Sequence, residues 1–127
     1  MTKRKIYIKA SLVEAVAELN DTRTAEHIWQ ALPIKSTVQT WGNEVYFAIP
    51  LTLTQENARE VVEVGELGYW PLGKAFCIFF GSTPVSRGNE IRPASPVNVF
   101  GRVISDATIF EKVGASTEII VIKGNGN

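Results

Sequence analysis

Residues 65–84, GELGYWPLGKAFCIFFGSTP, hold five aromatic side chains, two prolines and four glycines, and Glu66 and Lys74 are their only charges. Within this stretch AFCIFFG, residues 75–81, has no polar side chain, whereas a strand with one wet face alternates apolar and polar. A run apolar on both faces must be covered on both sides, or must turn one face into a closed barrel. Alternation sets Phe76, Ile78 and Phe80 on one face and Ala75, Cys77 and Phe79 on the other. One set is expected to fill a core and the other to meet a helix or a groove. Just upstream, YWPLGK reads as a turn, because Pro71 holds one backbone angle and donates no hydrogen bond. Before it VVEVG, residues 61–65, reads as a strand.

Toward the N-terminus, STVQTWGNEVYFAIP reads as two strands joined at Gly42-Asn43, a pair suited to the positive backbone angles of tight hairpins. The polar TLTQENARE then links to residue 61. NDTRTAEHIWQALP is the clearest helix: Asp21 or Thr22 can cap it, Ala25, Ile28, Trp29 and Leu32 recur at helical spacing, and Pro33 ends it. KRKIYIK alternates Lys5, Tyr7 and Lys9 against Ile6 and Ile8, as a strand with one wet face does. SLVEAVAEL, residues 11–19, fits either state. Leu12, Val13, Val16 and Leu19 make a helical stripe, while Val13, Ala15, Ala17 and Leu19 make one face of a strand.

Toward the C-terminus, STPVSRGNEIRPASP is loop, VNVFGRVI a strand, DATIFEKV a short helix or turn, and STEIIVIK a closing strand. The reading is a mainly β fold of seven or eight short strands, one clear helix and one short helix. Strand edges must be hidden or closed, so a compact β-barrel capped by helices is the economical solution, with a sandwich as the alternative. The 127 residues suit one domain, spanning 1–123, with 124–127 as a flexible tail.

Thirteen basic residues balance thirteen acidic ones, so the chain lacks the electrostatic pull that a nucleic-acid or anionic-membrane binder exerts. No run approaches the ~18 apolar residues of a membrane span, and the basic start leads straight into an alternating strand. A cytoplasmic protein is expected, which suits a single cysteine, Cys77. Cys77 sits in the most apolar strand with no cation nearby in sequence, and is expected to pack as a small hydrophobe. His27 is the one histidine, so neither a catalytic triad nor a multi-histidine metal centre can be assembled, and no cofactor is implied. Carboxylate pairs such as Glu63 with Glu66, or Glu44 brought across a hairpin, occur by chance in a chain of this size. Trp41, Tyr69 and Trp70 flank turns, where large amphipathic rings are costly to expose without a partner.

TWGNEVYFAIP, EVVEVGELGYWPLGKAFCIFFGSTPVS and IRPASPVNVFGRV, in this order and over nearly the whole chain, closely resemble the atypical cyclophilin-like family of small bacterial and archaeal proteins. VNVFGRVISDATIFEKV followed by STEIIVIKG also resembles the last strands and short helix of ordinary cyclophilins, the peptidyl-prolyl isomerases. The resemblance implies a closed eight-stranded cyclophilin-like β-barrel capped by one clear helix and one short helix, and makes SLVEAVAEL the second half of an opening hairpin. It transmits no assigned activity. Ordinary cyclophilins carry an arginine on a barrel strand just before an isoleucine and a proline; VYFAIP places Phe47 there instead, and the loop tryptophan of those enzymes has no counterpart in residues 82–96. Arg92 is the first substitute for the lost donor. The leading expectation is a binding module that takes a peptide or small ligand in an apolar groove formed by Gln39, Trp41, Tyr46, Phe47, Tyr69, Phe79 and Arg92, with isomerase activity weak or absent. The alternatives are a genuine prolyl isomerase with a substituted donor, and a barrel that self-associates through an apolar patch.

Overall fold

The structure, a computed structural model, describes residues 3–124. Chain order is β1 (Lys5–Ala10), β2 (Val13–Leu19), α1 (Arg23–Ala31), β3 (Ile34–Thr37), β4 (Gln39–Thr40), β5 (Glu44–Ala48), β6 (Glu66–Trp70), β7 (Ala75–Phe79), β8 (Asn98–Val103), a 3₁₀ helix (Ala107–Lys112) and β9 (Glu118–Lys123). All pairings are antiparallel, in the order β3-β9-β1-β2-β8-β6-β7-β5-β4.

The two ends of that order belong to one run of chain. β3 and β4 are interrupted only at Val38, whose N–H and C=O turn to Thr117 and Ser116. β3 pairs with β9 and β4 with β5, and the Ser36 hydroxyl donates to Ala48 O at 2.8 Å, so this bent run joins both edges into a nearly closed barrel. Counted as one strand, it brings the total to the expected eight. Closure leaves little of the edge on which a sheet aggregates.

SLVEAVAEL resolves as strand. Lys5 to Ala10 lie opposite Glu18 to Val13, and Val13, Ala15, Ala17 and Leu19 are buried while Glu14 is exposed. Local propensity favoured helix here; pairing on both sides, with β1 and β8, outweighs it.

Inside the barrel, Ile6, Ile8, Val45, Phe47, Leu67, Tyr69, Phe76, Ile78, Phe100 and Val121 are fully or almost fully buried. Phe47 stacks on Phe76 with centroids 4.7 Å apart, and Phe76 meets Phe100 edge-on at 4.9 Å. Burying each such side chain contributes roughly 1.5–3 kcal/mol. α1 follows the end of β2, and the 3₁₀ helix follows the end of β8, the antiparallel neighbour of β2; the two therefore close opposite ends. Ala25, Ile28 and Leu32 enter the core from one end, Ala107, Phe110 and Val113 from the other. Thr22 caps α1 by accepting from Ala25 N at 3.1 Å. The Glu56 carboxylate takes the free N–H groups of Arg23 and Thr24, at 3.0 and 2.8 Å, where the helix dipole favours negative charge. No helix among the described residues is long and apolar enough to cross a membrane.

One expected strand moves. VVEVG forms no strand: Val62 makes a single bridge to Ile91, and the chain turns at Gly65, whose φ is +90°. Pairing starts one residue later, and Tyr69 and Trp70, read above as the start of a turn, are the last residues of β6. Gly68 hides the alternation of this strand, since it supplies no side chain on the face it shares with Trp70. Gly124, assigned above to the tail, donates to Lys5 O at 2.7 Å; the rest of that tail, 125–127, lies outside the described residues.

Candidate functional site

β7 carries two cores back to back. Phe76 and Ile78 fill the barrel, while Ala75, Cys77 and Phe79 face outward into a second apolar cluster with Val62, Ile91 and Val97. The long segments 55–65 and 81–97 fold over this outer face, pinned to each other by Val62 N to Ile91 O at 2.9 Å and by the paired bonds of Arg59 and Val97. They leave part of it uncovered. There a cavity of about 210 Å³ is lined by Trp41, Glu44, Tyr46, Trp70, Cys77, Pro93, Ala94 and Val97.

Local rules build the walls. On β5 the inward residues are Val45 and Phe47, so period-2 alternation sends Glu44 and Tyr46 outward together. Trp41 and Glu44 are the two ends of the hairpin turn, where Trp41 N donates to Glu44 O at 3.0 Å. Gly42 takes φ +60° in that turn, and an added Cβ would lie 2.9 Å from Pro84 Cδ. Asn43 bonds to Ser82 and Phe80, fastening the turn to the segment that follows β7. Tyr46 lies opposite Cys77, and its ring stands at 85° to that of Trp70 with centroids 6.3 Å apart, making two walls of a corner. The Trp70 indole N–H donates to Ser95 Oγ at 2.5 Å, which holds its ring against the 93–97 segment.

The one ionisable carboxyl of this wall is Glu44, 5 % exposed. Burial pushes its pKa up to about 7, opposed by a hydrogen bond with the Cys77 thiol. No ion pair reaches it among the described residues. Burial likewise pushes the Cys77 thiol well up, and the neighbouring Glu44 charge adds to the effect, so Cys77 is a thiol and not a nucleophilic thiolate. Among the described residues no three His, Cys, Asp or Glu side chains gather as metal ligands.

Of the residues expected to share a groove, Trp41 and Tyr46 line this cavity. Gln39 is exposed on β4. Phe47 and Tyr69 are fully buried inside the barrel, where the Tyr69 hydroxyl donates to Leu51 O and accepts from Leu53 N. Phe79 is fully buried in the outer cluster. Arg92 borders an adjoining depression that shares Pro93 and Ala94 with the cavity. Its guanidinium is bound to Glu90 at 2.6 Å and lies 3.5 Å from Glu60. The Glu90 hydrogen bond raises the pKa of Arg92, and Arg92 in turn holds the Glu90 carboxyl below its usual value. Phe47 occupies the position that the resemblance assigned to the missing arginine, yet it points into the core; the outward residue is its neighbour Tyr46.

Glu44 is the wall residue that sequence reasoning passed over, having weighed it only for carboxylate pairing. The signal was present: two residues before Tyr46 on an alternating strand, it had to share that ring's face.

A family model described as Cyclophilin-like matches residues 4–122. Among solved structures the chain is similar to the solution structure of a hypothetical protein from Archaeoglobus fulgidus, with TM-score 0.82 and 37% identity over 97% of this chain and 96% of that one. No curated protein matches.

Proposed function

The chain belongs to the cyclophilin-like family, and from that premise we propose that it is a binding module which takes a small ligand, or one side chain of a peptide, in the outer-face cavity, with prolyl isomerase activity weak or absent. The observation that carries this reading is a concave, mostly apolar cavity with three aromatic walls and one buried carboxyl. Apolar walls with a few convergent polar groups are the usual form of a ligand site. At about 210 Å³ it is smaller than the ~300–1,000 Å³ of sites for drug-sized molecules, so it suits a small head group. The adjoining depression beside Arg92 continues across Pro93 and Ala94, and gives the remainder of a longer ligand a place to lie.

The case against isomerase activity rests on the missing donor. Lowering the ~18–20 kcal/mol amide barrier requires a group that favours the twisted bond. No cation lines the cavity, and Arg92 is already held by two carboxylates.

Indole N–H resonances test the binding reading. Trp41 and Trp70 line the cavity whereas Trp29 lies on α1 under Arg4 and Lys123, so a ligand at the site shifts the first two and leaves the third unmoved. A panel of proline-containing peptides and metabolite pools that moves neither removes the reading. A protease-coupled proline assay tests the rival: turnover that is lost in Arg92→Ala would establish an isomerase with a substituted donor.

A further inference from the structure

Resting on the binding reading above, we infer that the cavity recognises an alkylammonium group, seated between the rings of Trp41, Tyr46 and Trp70 with the Glu44 carboxylate as its counter-charge.

The inference starts from a mismatch. Glu44 is a nearly buried acid on a wall otherwise made of three aromatic rings, a thiol, Pro93, Ala94 and Val97. Buried charges are normally paired, and an ionised carboxylate without a partner is expensive. Glu44 has neither an arginine nor a lysine across from it. On β7 its titratable neighbour is Cys77; on its own strand it is Tyr46; the 93–97 segment presents no charge, and Arg92, which precedes it, is engaged by Glu90 and Glu60 on the far side of Pro93. The Asn43–Ser82 contact of the hairpin adds no ionisable group. Beyond the Cys77 thiol this carboxyl has no partner in the described residues, and a cation entering the cavity would supply its counter-charge.

The surrounding rings select the kind of partner. A hydrated small cation gains little from aromatic faces, whereas an organic ammonium buries its methyl or methylene groups against them while its charge meets the negative ring faces. Tyr46 and Trp70 stand nearly perpendicular, so a compact cation in their corner touches two rings, and Trp41 adds a third ring to the lining. Ser95 takes the Trp70 indole N–H and fixes the ring, and Gly73 packs closely on it, so the part of Trp70 that lines the cavity is held in place for the ligand. The cavity is too small for a large heterocycle and large enough for a substituted ammonium head. An anion is excluded by Glu44. A neutral apolar group would fit the rings and leave the carboxyl without a partner.

Binding such a cation requires ionised Glu44, whose burial raises its pKa to about 7. Affinity therefore rises with pH through that value and falls below it.

Choline chloride titrated against sodium chloride of equal ionic strength tests the assignment, with 3,3-dimethylbutan-1-ol as the neutral isostere. Trp41 and Trp70 are followed by indole resonances and fluorescence at pH 8.5 and at pH 5.5. Choline is expected to bind at least ~tenfold more tightly than the isostere at pH 8.5, and to lose most of that advantage at pH 5.5. Glu44→Gln keeps the shape and removes the charge; it is expected to weaken choline ~tenfold or more at pH 8.5 and leave the isostere unchanged. Trp70→Leu weakens choline at either pH. A peptide bearing trimethyl-lysine distinguishes the source: tighter binding than choline identifies a protein side chain, weaker binding a free small molecule, and either sustains the assignment. If the isostere binds as well as choline and Glu44→Gln changes neither, the alkylammonium assignment falls while the binding site stands. If choline, isostere and proline peptides all leave Trp41 and Trp70 unmoved, the binding reading falls with it.

Discussion

At Glu44 the same burial that prepares a ligand site costs the protein stability. Its folded-state pKa, about 7, stands above the ordinary glutamate value of 4.5, so between these values the native state holds a proton that the unfolded chain has released. The contribution is fully present below pH 4.5 and is lost as pH rises through 7, at about 1.4 kcal/mol per unit, or ~3 kcal/mol in all. Thermal or urea denaturation from pH 4.5 to 8 is therefore expected to show wild-type stability falling across this window, with Glu44→Gln flat by comparison and the more stable protein at pH 8. A wild-type profile with no downward slope in that interval would show that the carboxyl is not desolvated. A bound ammonium would offset the loss, since it favours the ionised form. Cys77 gives a second expectation at this scale. Although Cys77 borders the cavity, a thiol 1 % exposed and held protonated should react slowly with maleimide or a disulfide reagent in the native protein at pH 8, and much faster once denatured.

Elements are positioned here by a few polar side chains that reach between them. Asn98 at the start of β8 is completely buried; its Oδ1 accepts from Glu56 N at 2.9 Å, and its Nδ2 donates to Thr54 O at 2.9 Å and Thr24 Oγ1 at 3.1 Å. One amide thus ties a barrel strand, the start of α1 and the 50–58 segment together, and it sets the backbone of Glu56, whose carboxylate caps the helix. Asn98→Ala removes the partner of the Glu56 N–H, the Thr54 carbonyl and the Thr24 hydroxyl, and is expected to cost about 1–3 kcal/mol in denaturant unfolding, against little for the exposed Gln55→Ala. The segment it fixes leads into the strap that crosses the outer face of β7. Loosening it should therefore also broaden the Trp70 indole resonance, a readout that loss of core packing alone does not single out.

For the whole molecule, closure is what separates the two environments of β7. A flat sheet would leave one side of AFCIFFG against solvent or a second layer; the barrel takes Phe76 and Ile78 inside, and straps 55–65 and 81–97 cover most of the other side. The cavity is the part the straps leave open. Self-association through an apolar patch has weak support at this scale. Leu12 and Leu72 are the most exposed large apolar side chains, and the register places their turns at opposite ends of the barrel. Single exposed apolar side chains are ordinary and make no interface. Light scattering is accordingly expected to report a monomer near 14.0 kDa at every concentration tested, and a concentration-dependent dimer would revive that reading.

What the sequence by itself determined was whatever a local period or a backbone restriction expresses. That covers the alternation in β1 and β5, the Thr22 cap and Ile28 face of α1, the Gly42 turn, and the two-sided apolar run of β7 that demanded cover on both faces. The resemblance to a known family added the state of SLVEAVAEL, which period alone left open because its alanines and valines satisfy both repeats. Tertiary structure alone decided the rest. The start of β6 moved from residue 61 to 66 because pairing with β7 and β8, not local propensity, sets a strand's bounds. Trp41, Glu44, Trp70 and Pro93 met because closure and the straps bring together residues from three separate segments, the β4–β5 hairpin, β6 and the 81–97 strap. Phe47 and Tyr69 left the expected groove for the core, since a one-residue step along a strand reverses the face, and no aromatic ring carries in its identity which face it will take.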